Sequence, residues 1–156
     1  MTLLRTYEDL DAWKAAHEFT LAVYRATEDF PKKEMFGIVA QMRRSAVSIP
    51  ANLAEGFGRR SDKELLRYCR ICDGSLQETK YFLRLSADLG YNDLDRYQTL
   101  RRQADRVGAL LGGLGRHLSA SVRQKAQLRV NRSDDQPADG STDQRINRST
   151  GAGGAR

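Results

Sequence analysis

The sequence predicts an all-α fold, an antiparallel up-down four-helix bundle, and three observations carry that prediction. Apolar residues recur at three- and four-residue spacing in four separate segments, turn residues separate those segments, and no stretch alternates with period two long enough to make a sheet. The bundle is expected over residues 1–120, followed by a disordered, basic and polar tail over residues 121–156.

In the first segment Leu10, Trp13, His17, Thr20 and Tyr24 share one helical stripe, widened by Ala12, Ala16, Phe19 and Val23. His17 therefore reads as a hydrogen-bonded core histidine. Thr6 or Asp9 is placed to cap the start. Phe30-Pro31 ends the pattern, because proline steers the residue before it away from helical angles.

The second segment carries Met35, Val39, Met42, Ala46, Ile49, Leu53 and Phe57, close to a heptad seam. Pro50 falls inside it. Its ring lacks an N–H and clashes with the carbonyl one turn back, so a kink at Pro50 or a break into two helices is expected. Gly56 and Gly58 then end the element.

The third segment opens with Ser61-Asp62-Lys63-Glu64, the pattern of a capping box. Its seam is Leu65, Cys69, Cys72, Leu76, Thr79, Leu83 and Ser86, and Gly90 is placed to close the helix in the left-handed conformation. Asn92 or Asp93 caps the fourth helix, with seam Tyr97, Leu100, Ala104, Val107, Leu111, Leu114 and Leu118. Gly108, Gly112, Gly113 and Gly115 lie in that helix, each costing roughly 1 kcal/mol relative to alanine, which makes sense if another backbone packs close to their face. After about residue 121 the periodicity fades, and residues 131–156 hold too few apolar side chains to offset their ordering entropy.

Composition bounds the function. No apolar run approaches the roughly 20 residues needed to cross a bilayer, and the N-terminus has no apolar signal segment, so a cytoplasmic protein is expected. Cys69 and Cys72 are three apart, but zinc would need two further ligands and His17 and His117 are distant in sequence. Both cysteines fall on the apolar seam and read as core residues. There is no glycine-rich phosphate loop after a strand and no histidine pair at metal spacing; Ser45 and Ser48 lack a base nearby in sequence. No enzyme, metal or cofactor is expected.

The charged residues are more informative. The net charge is +6, and half of it comes from residues 121–156, which hold seven Lys and Arg against four Asp and Glu. Within the helices Arg43, Arg44, Arg59, Arg60, Lys63, Arg101, Arg102 and Arg106 are the candidate phosphate contacts, with Arg67, Arg70, Lys80 and Arg84 marking the third helix. A solvated face with interspersed carboxylates would look the same. No helix-turn-helix, zinc-finger or strand-borne aromatic signature accompanies them.

Several motifs carry a family resemblance: Tyr7-Glu8-Asp9-Leu10 with Trp13-Lys14 and His17, Phe30-Pro31-Lys32, Gln41 through Ala46, and above all Ser48-Ile49-Pro50-Ala51-Asn52-Leu53-Ala54-Glu55-Gly56-Phe57-Gly58-Arg59. With Ser75 to Glu78 and Leu89-Gly90-Tyr91 added, residues 6–118 resemble the four-helix bundle proteins first recognised as 23S ribosomal-RNA intervening-sequence proteins. The resemblance implies a bundle that assembles into a homopentamer around a central channel, with a role often guessed to involve RNA. A related branch comprises the accessory variability proteins of diversity-generating retroelements, basic pentamers that bind a reverse transcriptase and RNA. The basic tail departs from the compact family pattern.

In that frame Asn52 and Glu55, at i and i+3, face one neighbour and make polar contacts inside or between subunits, with Pro50 shaping the helix before them. The alternative is a small-ligand site at the kink. The function expected is a non-enzymatic oligomer that associates with nucleic acid, RNA or DNA, through a multivalent basic surface. The alternative function is a protein-interaction scaffold or an accessory subunit of a reverse transcriptase.

Overall fold

The structure, a computed structural model, describes residues 5–134, with side chains as far as Asn131. Four helices account for most of it: α1 (Asp11–Ala26), α2 (Ile38–Gly58), α3 (Asp62–Asp88) and α4 (Leu94–Asp134). Short 3-10 turns at Tyr7–Asp9 and Lys32–Glu34 precede α1 and α2, and no strand occurs among the described residues. No helix is long and apolar enough to cross a membrane.

Each helix packs on its neighbours in sequence, and α1 closes on α4, while the diagonal pairs α1–α3 and α2–α4 stay apart. Side-chain pairings give the sense of each contact. On α1 and α2, Thr20 meets Ala46 whereas Thr27 meets Arg43. On α2 and α3, Ser45 meets Thr79 whereas Glu55 meets Tyr68. Lys80 pairs with Asp105 and Asp62 with Ser121, while Glu18 lies beside Arg106 and Ala26 beside Arg96. Numbers rise on one helix as they fall on the next, so the bundle is antiparallel throughout.

The α3 seam is buried in full, from Leu65 to Ser86. On α4 the buried positions are Leu100, Ala104, Val107, Leu111 and Leu118, with Tyr97 and Leu114 half-buried. The α2 seam holds from Val39 to Leu53, but Met35 precedes the helix and is exposed.

On α1 six of the nine expected positions are buried, Leu10 and Thr20 among them, and Trp13, His17 and Tyr24 are not. Ala12, Ala15, Ala16, Phe19, Val23 and Ala26 are buried, whereas His17 and Tyr24 are exposed and Trp13 is half-buried. Alanines let α1 lie close to its neighbours, and the large rings move to the edge, where Trp13 stacks on His17 with centroids 5.0 Å apart. His17 is a surface residue, not a core one. Neither Thr6 nor Asp9 caps α1, whose N-cap is Leu10. Asp9 instead accepts the backbone N–H groups of Thr6 and Arg5, which hold its carboxyl below the usual range.

Helix α2 runs unbroken through Pro50, so the break into two helices does not occur. Because Pro50 has no N–H, the Ala46 carbonyl loses its donor one turn on. Thr20 Oγ1 of α1 lies 3.0 Å from that carbonyl and 2.8 Å from its own Ala16 carbonyl, so a neighbouring helix supplies a donor that the proline removed. The partners are buried.

At the α2–α3 turn the capping box does not form. Ser61 is the N-cap with an extended backbone but no side-chain cap bond, and Glu64 is drawn to Arg67, 3.3 Å away. Gly56 is not a terminator but a buried packing position. A Cβ there would lie 2.6 Å from Cβ of Tyr68. The left-handed residue after α2 is Arg60, at φ 52°. The other end follows expectation: Gly90 has φ 74°, and Asp93 Oδ1 accepts the Arg96 N–H at 2.7 Å.

Helix α4 crosses the boundary expected at residue 120 and continues to Asp134. Asp62 Oδ2 holds it there, accepting Ser121 Oγ at 2.7 Å and Lys125 Nζ at 2.6 Å. Residues 116–134 contain neither glycine nor proline and include many strong helix formers, which apolar periodicity alone does not register. At about 1.5 Å per residue, α4 outreaches α3 by roughly 20 Å. The remainder of the expected tail, residues 135–156, lies outside the described residues.

Candidate nucleic-acid interface

The eight basic residues singled out by sequence do not form one surface. Arg43 braces the C-terminus of α1: its Nε donates to Thr27 Oγ1 at 2.8 Å, its Nη2 to the Tyr24 carbonyl at 3.3 Å, and its guanidinium lies over the Tyr24 ring. A cation belongs at that negative helix end. Arg44 reaches Gln41 and Glu78, Arg101 reaches Asp105, Arg102 reaches Thr99, and Arg106 lies 3.8 Å from Glu18. Since α2 and α4 occupy diagonal corners, the Arg43–Arg44 pair and the Arg101–Arg106 group look in different directions.

Arg59 is taken up with Glu55 and Tyr68. Its Nη2 donates to Glu55 Oε1 at 2.6 Å, and Tyr68 Oη donates to the same oxygen. The Tyr68 hydroxyl first, and Arg59 second, hold the Glu55 carboxyl below its usual range. Asn52 donates to the Ser48 carbonyl at 2.7 Å and to Ser48 Oγ at 2.9 Å, and Ser48 Oγ meets Ser75 Oγ of α3. Glu55 therefore meets α3 inside one chain through Tyr68, whereas both Asn52 bonds go to Ser48 of its own helix, and Ser48 in turn meets Ser75 of α3.

Arg60 and Lys63 are the two candidates that the fold brings into a cationic site. They line a cavity of about 500 Å³ with Ser61, Asp62, Lys125 and Arg129, where the C-terminal part of α4 passes the start of α3. A larger cavity of about 610 Å³ follows along the same seam. Arg70, Arg116 and Arg123 line it against the single carboxylate Asp73. The rest of its lining is apolar or small: Leu66, Cys69 and Leu111 with Gly108, Gly112, Gly115, Ser119 and Ala120. The glycines thus do not receive another backbone; a Cβ at Gly112 would come within 4 Å only of the Arg116 guanidinium.

Together the two cavities present seven cations and two carboxylates. Asp62 is already matched. Its hydrogen bond from Lys125, then that from Ser121, holds its carboxyl below the usual range and keeps it ionised as the anchor of α4.

Sequence reasoning missed Arg116, Arg123, Lys125 and Arg129 as site residues, because one fell beside the glycines and three in the presumed tail. A signal was present. Arg116 and Arg123 are seven apart, as are Lys63 and Arg70, and that spacing keeps each pair on one helix face.

A second groove, of about 440 Å³, lies between α1 and α2 and includes Pro50. Its walls are Trp13, His17, Leu21, Tyr24 and Val47, with no Lys, Arg, Asp or Glu. Both cysteines are buried in α3, and Cys69 contributes to the lining of the cavity of about 610 Å³. Burial pushes the Cys69 thiol up to about 11 and, with Cys69 beside it, the Cys72 thiol up to about 12, so both stay protonated at neutral pH.

The family described as 23S rRNA-intervening sequence protein matches residues 8–113. Among solved structures, a protein of unknown function from the S23 ribosomal protein family of Bacteroides thetaiotaomicron is similar with a TM-score of 0.60. It is 21% identical and the match covers 67% of this chain and 97% of its own. At that identity the likeness establishes the fold alone. No curated protein matches the chain.

Proposed function

The chain belongs to the 23S rRNA-intervening sequence protein family, and from that premise we propose that it associates with RNA, without catalysis, through the cation-lined groove between α3 and α4. The observation that carries the reading is the gathering of Arg60, Lys63, Arg70, Arg116, Arg123, Lys125 and Arg129 along one seam. Four of these lie on α4 beyond the residues that the family matches. Neutralised phosphates release counterions, so affinity for a structured RNA is expected to fall linearly in log salt. Arg116→Gln with Arg123→Gln should reduce that slope by about two. Absence of binding at low salt, or a slope untouched by the double substitution, would remove the reading.

A second reading rests on the α1–α2 groove. Leu21, Tyr24 and Val47 are each about 40% exposed on one face, and a contiguous apolar patch marks a protein contact. This face supports self-association into the homopentamer that the resemblance implies, or docking of a protein such as a reverse transcriptase. Repetition of the cationic groove around a ring would multiply weak phosphate contacts. Leu21→Glu is expected to reduce the mass measured by light scattering to that of one chain while leaving helix content by circular dichroism unchanged, with Tm lowered by the lost association. An unchanged mass excludes this face as the contact between copies.

A further inference from the structure

We infer that the α3–α4 groove takes base-paired RNA, gripped by its two backbones, in preference to a single strand; the inference rests on the reading of that groove as an RNA site. Its cations stand in two rows. Lys63 and Arg70 are seven residues apart on α3, and Arg116 and Arg123 are seven apart on α4. Each interval spans about 10.5 Å along its helix, and Lys125 and Arg129, on another face of α4, add charge to the cavity at the start of α3. Two rows of charge on opposite walls match two phosphate ribbons better than one.

The walls themselves point the same way. Single-strand binders add aromatic faces on which successive bases stack. Among the described residues no aromatic side chain lines either cavity, and the hydroxyls of Ser61 and Ser119 are there instead. Double-stranded RNA is recognised through phosphates and 2′-hydroxyls across its wide, shallow minor groove, and Gly108, Gly112 and Gly115 keep the α4 wall of the cavity free of projecting side chains of their own. The exposed aromatic rings lie elsewhere: Tyr24 sits beneath Arg43 on the α1–α2 side, and Phe36 and Tyr81 line neither cavity. The track is also rigid, because Asp62 fastens α4 to α3 through both Ser121 and Lys125. A stiff duplex loses little entropy on such a track, whereas a flexible strand must be ordered along it.

The test uses the full chain with a blunt RNA duplex and each of its strands alone, one all-purine and one all-pyrimidine, at one ionic strength. The duplex is expected to bind about tenfold or more tightly than either strand, as shape and backbone recognition demands. Arg116→Gln with Arg123→Gln should bring the duplex down to the affinity of the strands, with helix content by circular dichroism and Tm unchanged. Strands that bind as tightly as the duplex overturn the inference and leave the RNA reading standing. A duplex preference that survives the double substitution overturns its placement in this groove. If no probe binds at low salt, the inference and the reading both fall.

Discussion

Replacing Gly56 with alanine is expected to destabilise the chain by about 1–3 kcal/mol, the usual effect of forcing an extra carbon into a packed interface, and to lower Tm by roughly 5–10 °C. The added Cβ would sit 2.6 Å from Cβ, 3.0 Å from Cγ and 3.1 Å from Cδ2 of Tyr68. The obstructing atoms form the root of a side chain fixed to α3, so rotation of a flexible tip cannot relieve them. The two helices must part, and with them the bond that Tyr68 makes to Glu55. Gly74, on the exposed face of α3, has nothing within 4 Å of its Cβ position. Gly74→Ala should therefore stabilise by about 0.5–1 kcal/mol through helix propensity alone. Thermal unfolding of both variants separates packing from propensity; a Gly56→Ala protein as stable as the parent would show that the α2–α3 distance is not set at this glycine.

The second expectation concerns Thr20 and Pro50. Thr20→Val keeps the shape of the side chain and removes the hydroxyl near the Ala46 carbonyl, leaving a buried acceptor without its donor. The loss should be about 1–3 kcal/mol. Pro50→Ala restores an N–H one turn beyond Ala46, so in that background Thr20→Val should cost less than about half as much. Urea unfolding of the four proteins closes a double-mutant cycle, in which effects unconnected with the shared carbonyl cancel. Equal losses in the two backgrounds would mean that the hydroxyl serves only the Ala16 carbonyl of its own helix. The cycle asks whether a proline inside α2 is tolerated because another helix answers for it.

Legibility in the sequence followed the range of the forces involved. The α3 seam could be read without error, since a strict alternation of four and three leaves one face to bury. Gly90 and Asp93 were legible because turn and cap chemistry is local. On α1 only Trp13, His17 and Tyr24 were misplaced, because close approach of helices through alanines leaves these rings at the rim, while Phe19 fills the core as expected. The extent of α4 was hidden for a different reason. Its last turns are not driven by apolar burial, and one anchor, Asp62, lies 59 residues before Ser121 in the chain. Of the cationic groove, Arg60 and Lys63 were visible as a cluster in sequence. Arg116, Arg123, Lys125 and Arg129 acquire their meaning only once α4 passes alongside α3.

The ring of helices also fixes an order of assembly. Three of its four seams join elements consecutive in the chain, so each can form as a hairpin across a short connection. The α1–α4 seam brings together residues such as Ala26 and Arg96, 70 positions apart, and bears the largest loop-closure entropy. A fold of mainly local seams belongs to the fast class of folding proteins. The contact that shuts the ring is expected to form last and to open first. Helix α1, the shortest of the four at 16 residues and buried largely through alanine, is therefore expected to exchange its amide hydrogens before α2, α3 and α4 do.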